Sequence, residues 1–168
     1  MRSDYISPEN FEKLALHLQP ANLLACAISS KTGLRIDDVL SLRIEKLKPV
    51  LSVVEIKTGK RRRVFLNKKL MQSIKIFCGD REQGFIFPHR LDKNKHRTRQ
   101  AVFKDIRKQA EFLGLDFHVS PHSFRKVYAV NLYKRTKSLT RVQSILGHKK
   151  METTLIYALA DVIKSTVQ

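Results

Sequence analysis

Two kinds of punctuation divide this 168-residue chain into helices. Ser7-Pro8-Glu9 and Ser120-Pro121 read as helix starts. A serine hydroxyl accepts from the free amides of a first turn, and proline at the first helical position sacrifices no hydrogen bond. Gly33, Gly114 and Gly147 read as helix stops, because a residue without Cβ turns the chain out of a helix without strain. Between these marks Phe11, Leu14, Ala15 and Leu18 recur at helical spacing, and residues 21–31 are apolar enough for a buried helix. A short helix with Ile36, Val39, Leu40 and Leu42 inward follows. Asn67 caps a helix over 68–77, and one over 98–113 turns Val102, Phe103, Ile106, Ala110 and Phe112 to its inner face. Pro121 to Lys134, Ser138 to Gly147 and 151–163 complete the helical pattern.

Only a few segments are extended. Leu51–Lys57 and Arg61–Leu66 are β-branched or aliphatic runs, joined by the turn Lys57-Thr58-Gly59-Lys60, with Gly59 at the unusual backbone angle. Gly84–Phe87 reads as a third short strand, and residues 90–99 as a polar, basic loop. The expected fold is α+β and mainly helical, with a small antiparallel three-stranded sheet, in one domain spanning 1–168.

Two cysteines, Cys26 and Cys78, are too few for a disulfide framework and lack metal-site spacing. No apolar run reaches the ~18 residues of a membrane span, and MRSDYISPEN is not a signal peptide. The chain carries 33 basic and 15 acidic residues, a formal net charge of +18, so a polyanion is the expected partner. The charge is uneven. Residues 1–30 hold two basic and three acidic side chains, whereas Lys57–Lys69 holds seven basic ones and no acid. Phe117–Met151 also lacks acids. A run of Lys and Arg is often only a solvated face. Here the runs are interleaved with Val64, Phe65, Leu66, Tyr128, Val130 and Ile145, which fix them on folded elements.

Several polar residues stand where local structure would hold them. Arg35 follows Gly33-Leu34 at the joint of two apolar helices, with Asp38 three residues on as a ready ion-pair partner. Lys57 occupies the hairpin tip. His122 and Arg125 share a face at a helix start, where amides and the helix dipole favour an anion. His148 follows a helix-ending glycine, and Tyr157 lies nine residues later. Each has an ordinary structural explanation when taken alone. His118 and His122 are four apart, but Ser120-Pro121 breaks the helix that would align them on a metal.

The ordered set is more telling. Gly-Leu-Arg35, Lys57-Thr-Gly, His122-Ser-Phe-Arg125, Leu-Gly-His148 and Tyr157 resemble the catalytic domain of the tyrosine recombinases, the phage-integrase family. GLRIDDVLSLRIEKL resembles its first arginine box, PHSFR its HxxR box, and LGHKKMETTLIYA the segment from its last histidine to its nucleophilic tyrosine. The resemblance runs from Ser7 to Tyr157. It implies a site-specific recombinase that breaks and rejoins double-stranded DNA through a 3′-phosphotyrosyl bond, without metal, ATP or other cofactor. It also implies a homotetramer on paired DNA sites, a monomer without DNA, and a cytoplasmic, nucleoid-associated protein of bacterial, archaeal or mobile-element origin. No membrane or small-molecule substrate enters. The alternative is a catalytically silent DNA-binding module of a mobile element.

By that resemblance Tyr157 is the nucleophile and Arg35 and Arg125 bind the non-bridging oxygens of the phosphorane, each with paired donors. A phenol with a pKa of ~10 needs a base, a role assigned to His122. His148 hydrogen-bonds the phosphate, Lys57 protonates the departing 5′ oxygen, and Asp38 orients Arg35. Lys60, Arg61, Arg62, Arg63, Lys126, Lys149 and Lys150 are the expected DNA contacts. The chain also departs from the family. The N-terminal core-binding clamp domain is expected to be absent, as in an excised fragment or in a short member such as the fimbrial phase-switch invertases. Lys126 stands where His is common. Only eleven residues follow Tyr157, which leaves the mode of assembly open.

Overall fold

The computed structural model describes residues 3–146. Gly147, His148, Lys149, Lys150, Tyr157 and the helix expected over 151–163 lie outside the described residues.

The capping chemistry read from the sequence operates as expected. Helix α1 (Pro8–Ala15) begins at Ser7, whose Oγ accepts from the Asn10 amide. Helix α2 (Pro20–Thr32) ends at Gly33, which has φ 67° and donates its amide to the Ser29 carbonyl at 2.8 Å. The short helix α3 (Ile36–Leu40) buries Ile36, Val39 and Leu40, as expected, and Leu42 beyond it is buried too. Asn67 caps α4 (Lys68–Cys78), Thr98 caps α5 (Arg99–Phe112), and Ser120 with Ser123 forms a capping box on α6 (Pro121–Thr136). Helix α7 (Leu139–Leu146) is the last described element.

Helix α2 is the spine. Its buried residues lie on every side, including the polar Asn22, Ser29, Ser30 and Thr32. Burial of those groups requires partners. Thr32 and Ser30 donate to carbonyls of their own helix, and Ser29 donates to the Leu34 carbonyl. Asp105 of α5 receives the Asn22 side-chain amide at 2.6 Å and the Gln19 backbone amide at 3.0 Å, so one carboxylate seats the helix start. Helix α6 makes the most extensive packing against α2. A second, smaller cluster of Ala129, Leu132, Val142 and Leu146 fixes α7 on α6.

The sheet has two strands, not three. Strands β1 (Val50–Val54) and β2 (Arg61–Phe65) pair antiparallel, with Val50 opposite Phe65 and Val54 opposite Arg61. Leu51, Val53 and Val64 face the core. Gly84–Phe87 is not a strand; it contributes an isolated bridge from Phe85 to Arg43. Its partner segment turns at once into a 3₁₀ turn at Ile44–Lys46, and Pro88 has no amide to continue the ladder. Phe112 is also corrected: it is 72% exposed and packs beside His17. The buried stripe of α5 is Val102, Asp105, Ile106 and Ala110, and Phe112, the last residue of the helix, lies at the edge of that stripe.

Gly33 is where backbone and packing both demand glycine. A Cβ there would lie 2.4 Å from Cδ1 of Tyr128 on α6. Gly33→Ala is expected to destabilise the fold by about 2 kcal/mol or more, combining left-handed strain with overpacking. Urea or thermal unfolding measures it, and an unchanged midpoint would refute this account of the α2–α6 contact.

Candidate active site

The joint between α2 and α3 projects one side chain with little freedom. Leu34 is wholly buried, its amide donating to Thr32 Oγ1 and its carbonyl accepting from Ser29. Arg35 follows in extended conformation as the residue before α3. Its Nη1 meets Glu55 Oε2 at 2.7 Å, an ion pair whose side chains are 16% and 6% exposed.

Glu55 did not figure among the expected site residues. It lies just beyond β1 and continues the inward series Leu51, Val53, Glu55. A lone acid on the buried face of a strand was the available signal. Its Oε2 also accepts from Thr58 Oγ1 at 2.8 Å, and its Oε1 lies 3.8 Å from Arg62 Nη1. Burial pushes its pKa up, but the Thr58 hydroxyl and the Arg35 guanidinium outweigh burial and hold it below the usual carboxylate range.

Asp38 is buried, and it is not the side chain that grips the Arg35 guanidinium. Its Oδ1 accepts from the Ile56 amide at 2.8 Å, and its Oδ2 has no hydrogen-bond partner among the described residues. Burial raises its pKa, opposed first by that amide. Arg62, expected on the DNA side, turns inward instead. Its guanidinium donates to the Thr32 and Gly33 carbonyls at 2.6 and 3.0 Å and lies over the Tyr128 ring. It thereby caps the negative end of α2. Arg61 and Arg63, on either side of it, face outward and are exposed, as are Lys57 and Lys60 in the hairpin loop.

Arg125 enters from α6 and is 6% exposed. Its Nη2 donates to the Leu146 carbonyl at 2.6 Å, while its Nε is buried with no hydrogen-bond partner among the described residues. Burial, then repulsion from Arg35 and Arg62, lowers its pKa to about 10, with Glu55 and Asp38 opposing. It therefore stays charged at neutral pH. Three guanidiniums and two carboxylates share this one region.

His122 stands at the first turn of α6, its ring reachable by solvent on one side. Partial burial on the other side, followed by the positive charges of Arg125, Arg99, Lys126 and Arg35, lowers its pKa from 6.5. It borders a cleft of about 320 Å³ lined also by Arg99, Phe103, Arg107 and His118. Lys126 points elsewhere: its Nζ bonds the Ser3 carbonyl. A second basic cleft, of about 480 Å³, runs between the hairpin and α6–α7, where Lys31 and Arg135 join Lys60, Arg61 and Arg63. Lys31 and Arg135 were also absent from the expected set; they come from different helices, and only the fold brings them together.

The structure thus brings Arg35, Arg125 and Asp38 together, with Lys57 on the adjoining loop. His148, Tyr157, Lys149 and Lys150 lie outside the described residues. Among the described residues no three metal-binding side chains converge, and no helix is long and apolar enough to cross a membrane.

Comparison with known proteins places the chain in a family. A tyrosine recombinase of Pseudothermotoga lettingae is 26% identical over 163 residues, which cover 92% of this chain and 55% of the relative. Tyrosine recombinase XerD of Vibrio vulnificus is 31% identical over 137 residues, covering 75% of this chain and 44% of that protein. The chain thus spans about half the length of these relatives. The fold matches the crystal structure of XerA recombinase with a TM-score of 0.73 at 19% identity, over 92% of this chain and 58% of that one. It matches the catalytic domain of bacteriophage HP1 integrase with a TM-score of 0.67 at 16% identity, over 94% of this chain and 88% of that one. The model of the phage integrase family matches residues 5–162, nearly the whole chain, and the chain belongs to that family.

Proposed function

We propose that this chain is the catalytic part of a site-specific DNA recombinase. The observation that carries the reading is the pairing of Arg35 and Arg125. Arg125 is buried within electrostatic reach of Arg35, which lowers its pKa, and its buried Nε has no hydrogen-bond partner among the described residues. A buried, unpaired cationic donor is costly. A phosphate oxygen is the natural acceptor, and a phosphorane, with more charge on its non-bridging oxygens, is a better one. Preorganised donors of this kind typically contribute ~3–4 kcal/mol each to a transition state.

In the proposed reaction Tyr157 Oη bonds to phosphorus as the bond from phosphorus to the 5′ oxygen breaks. The phenol proton passes to His122, and a proton from Lys57 goes to the departing 5′ oxygen. The products are a 3′-phosphotyrosyl bond and a 5′-hydroxyl. A 5′-hydroxyl from another strand reverses the step, which conserves the phosphodiester energy. Two such rounds, through a Holliday junction in a homotetramer on paired sites, exchange both strands. Lys60, Arg61 and Arg63 grip the backbone beside Lys57, with Lys149 and Lys150 assigned the same role. His148 is assigned to the scissile phosphate. The setting is the nucleoid or its mobile-element equivalent.

Three outcomes test this. Incubated with nicked cognate DNA, the protein is expected to give a covalent adduct on a denaturing gel; Tyr157→Phe gives none. No adduct with the unaltered protein, or an undiminished one with Tyr157→Phe, removes the enzyme reading. A base must be neutral to accept a proton, and His122 has a lowered pKa, so cleavage should hold down to about pH 6.5 and fall only below it. A single-turnover pH profile with its half-point above 6.5 would contradict His122 as the base. Affinity for DNA should drop about 1,000-fold or more between roughly 50 and 200 mM salt, as for ~6–10 phosphate contacts. A nearly salt-independent affinity by fluorescence anisotropy would refute the basic surface.

A further inference from the structure

Lys57 is exposed, and nothing in its own side chain explains how it would be held against a phosphate. Its neighbours do. The Ile56 amide is bound by Asp38 Oδ1 at 2.8 Å, and the Thr58 hydroxyl by Glu55 Oε2 at 2.8 Å. The loop is thus pinned on both sides of Lys57 by carboxylates. The Glu55 oxygen that takes Thr58 also takes Arg35 Nη1, at 2.7 Å. One atom therefore joins the loop carrying Lys57 to the joint carrying Arg35.

Glu55 is an expensive way to fill that position. It is 5% exposed and follows Leu51 and Val53 on the inward face of the hairpin. Burying a carboxylate costs several kcal/mol before its partners repay it, and an apolar residue there would often be as stable. A function served by the charge accounts for it better than stability does. Glu55 takes only Nη1 of Arg35, and no hydrogen bond among the described residues occupies Arg35 Nη2 or Nε. The carboxylate thus steadies one corner of the guanidinium and leaves the others for a ligand.

We propose that Glu55 is a positioning residue that sets the Arg35 guanidinium and the Lys57 loop in one fixed relation, so that transition-state binding and leaving-group protonation are installed together. This rests on the recombinase reading above. Glu55 touches no reacting atom; its effect passes through two residues with separable roles.

That separation supplies the test. In DNA whose bridging 5′ oxygen is replaced by sulfur, the phosphorus–sulfur bond breaks to release a thiolate, which needs no proton. Such a substrate bypasses Lys57 but not Arg35. Single-turnover cleavage is measured on both substrates for the unaltered protein and for Glu55→Gln, Glu55→Ala, Lys57→Ala and Arg35→Ala, with unfolding midpoints for each. Glu55→Ala should cleave ordinary DNA about 10- to 100-fold slower, the scale of a small misplacement of catalytic groups. On the sulfur substrate its deficit should shrink without vanishing, between the full rescue of Lys57→Ala and the persistent deficit of Arg35→Ala. Glu55→Gln, which keeps an acceptor for Thr58 and Arg35, should lie between Glu55→Ala and the unaltered protein, and it decides the matter if the alanine variant does not fold. Folded Glu55 variants within twofold of the unaltered protein on ordinary DNA would overturn the proposal. So would a deficit equally large on both substrates, which would leave Lys57 uninvolved. An unaltered protein that forms no Tyr157-dependent adduct would instead overturn the recombinase reading itself.

Discussion

A carboxylate beneath a hairpin and three guanidiniums around it form the interaction on which the site depends. Neither sign is tolerable alone. Without Glu55, the charges of Arg35, Arg62 and Arg125 would face one another with, among the described residues, Asp38 and the end of α2 to offset them. Without the guanidiniums, Glu55 would be an unpaired buried charge, a costly defect. The offset is incomplete. Arg125 remains depressed to about 10, with burial and the other two arginines as the causes. A residual positive field of this kind suits the phosphodiester of the proposed reaction and suits its transition state more strongly still.

The scaffold explains why this cluster stays where it is. Arg35 leaves a joint whose geometry is set by Gly33, and Gly33 is pressed against Tyr128 of α6, the helix that also bears Arg125. Arg62 lies over the same tyrosine ring and binds the last carbonyls of α2. Hairpin, spine helix and α6 therefore meet at one point of close packing. The two arginines proposed to act on the phosphate are carried by elements that meet at that point. Close-packed interiors transmit small shifts rather than absorbing them, so the relative position of Arg35 and Arg125 is as fixed as the packing of α2 on α6.

Local chemistry made much of this legible before any coordinates. Ser7, Asn67 and Ser120 each cap a helix because the signal and its effect lie within three residues. The hairpin is legible for the same reason, as is the Gly33 stop that places Arg35. What escaped were features that depend on distant partners. The third strand at Gly84–Phe87 has a plausible composition, but a strand needs a neighbour that stays extended, and Ile44–Lys46 does not. Glu55 and Arg35 are 20 residues apart, so their pairing leaves no local trace. Asp38 looked like the partner of Arg35 because it is near in sequence. Arg62 was within reach of inference: it shares the inward face of β2 with Val64, whereas Arg61 and Arg63 alternate outward. Composition treated the three as one run, while the period of a strand separates them.

That alternation divides the positive charge into two populations with different physics. Arg61, Arg63, Lys57 and Lys60 are exposed, and at physiological ionic strength their fields decay over about 8 Å. Arg35, Arg62 and Arg125 are enclosed, paired through short contacts, and largely outside the reach of dissolved ions. Salt therefore acts on the first group and spares the second. In the proposed enzyme, ionic strength tunes how long DNA is held, while the field at the scissile phosphate stays set by Glu55, Asp38 and the end of α2. A single +18 total conceals this division, and strand alternation exposes it.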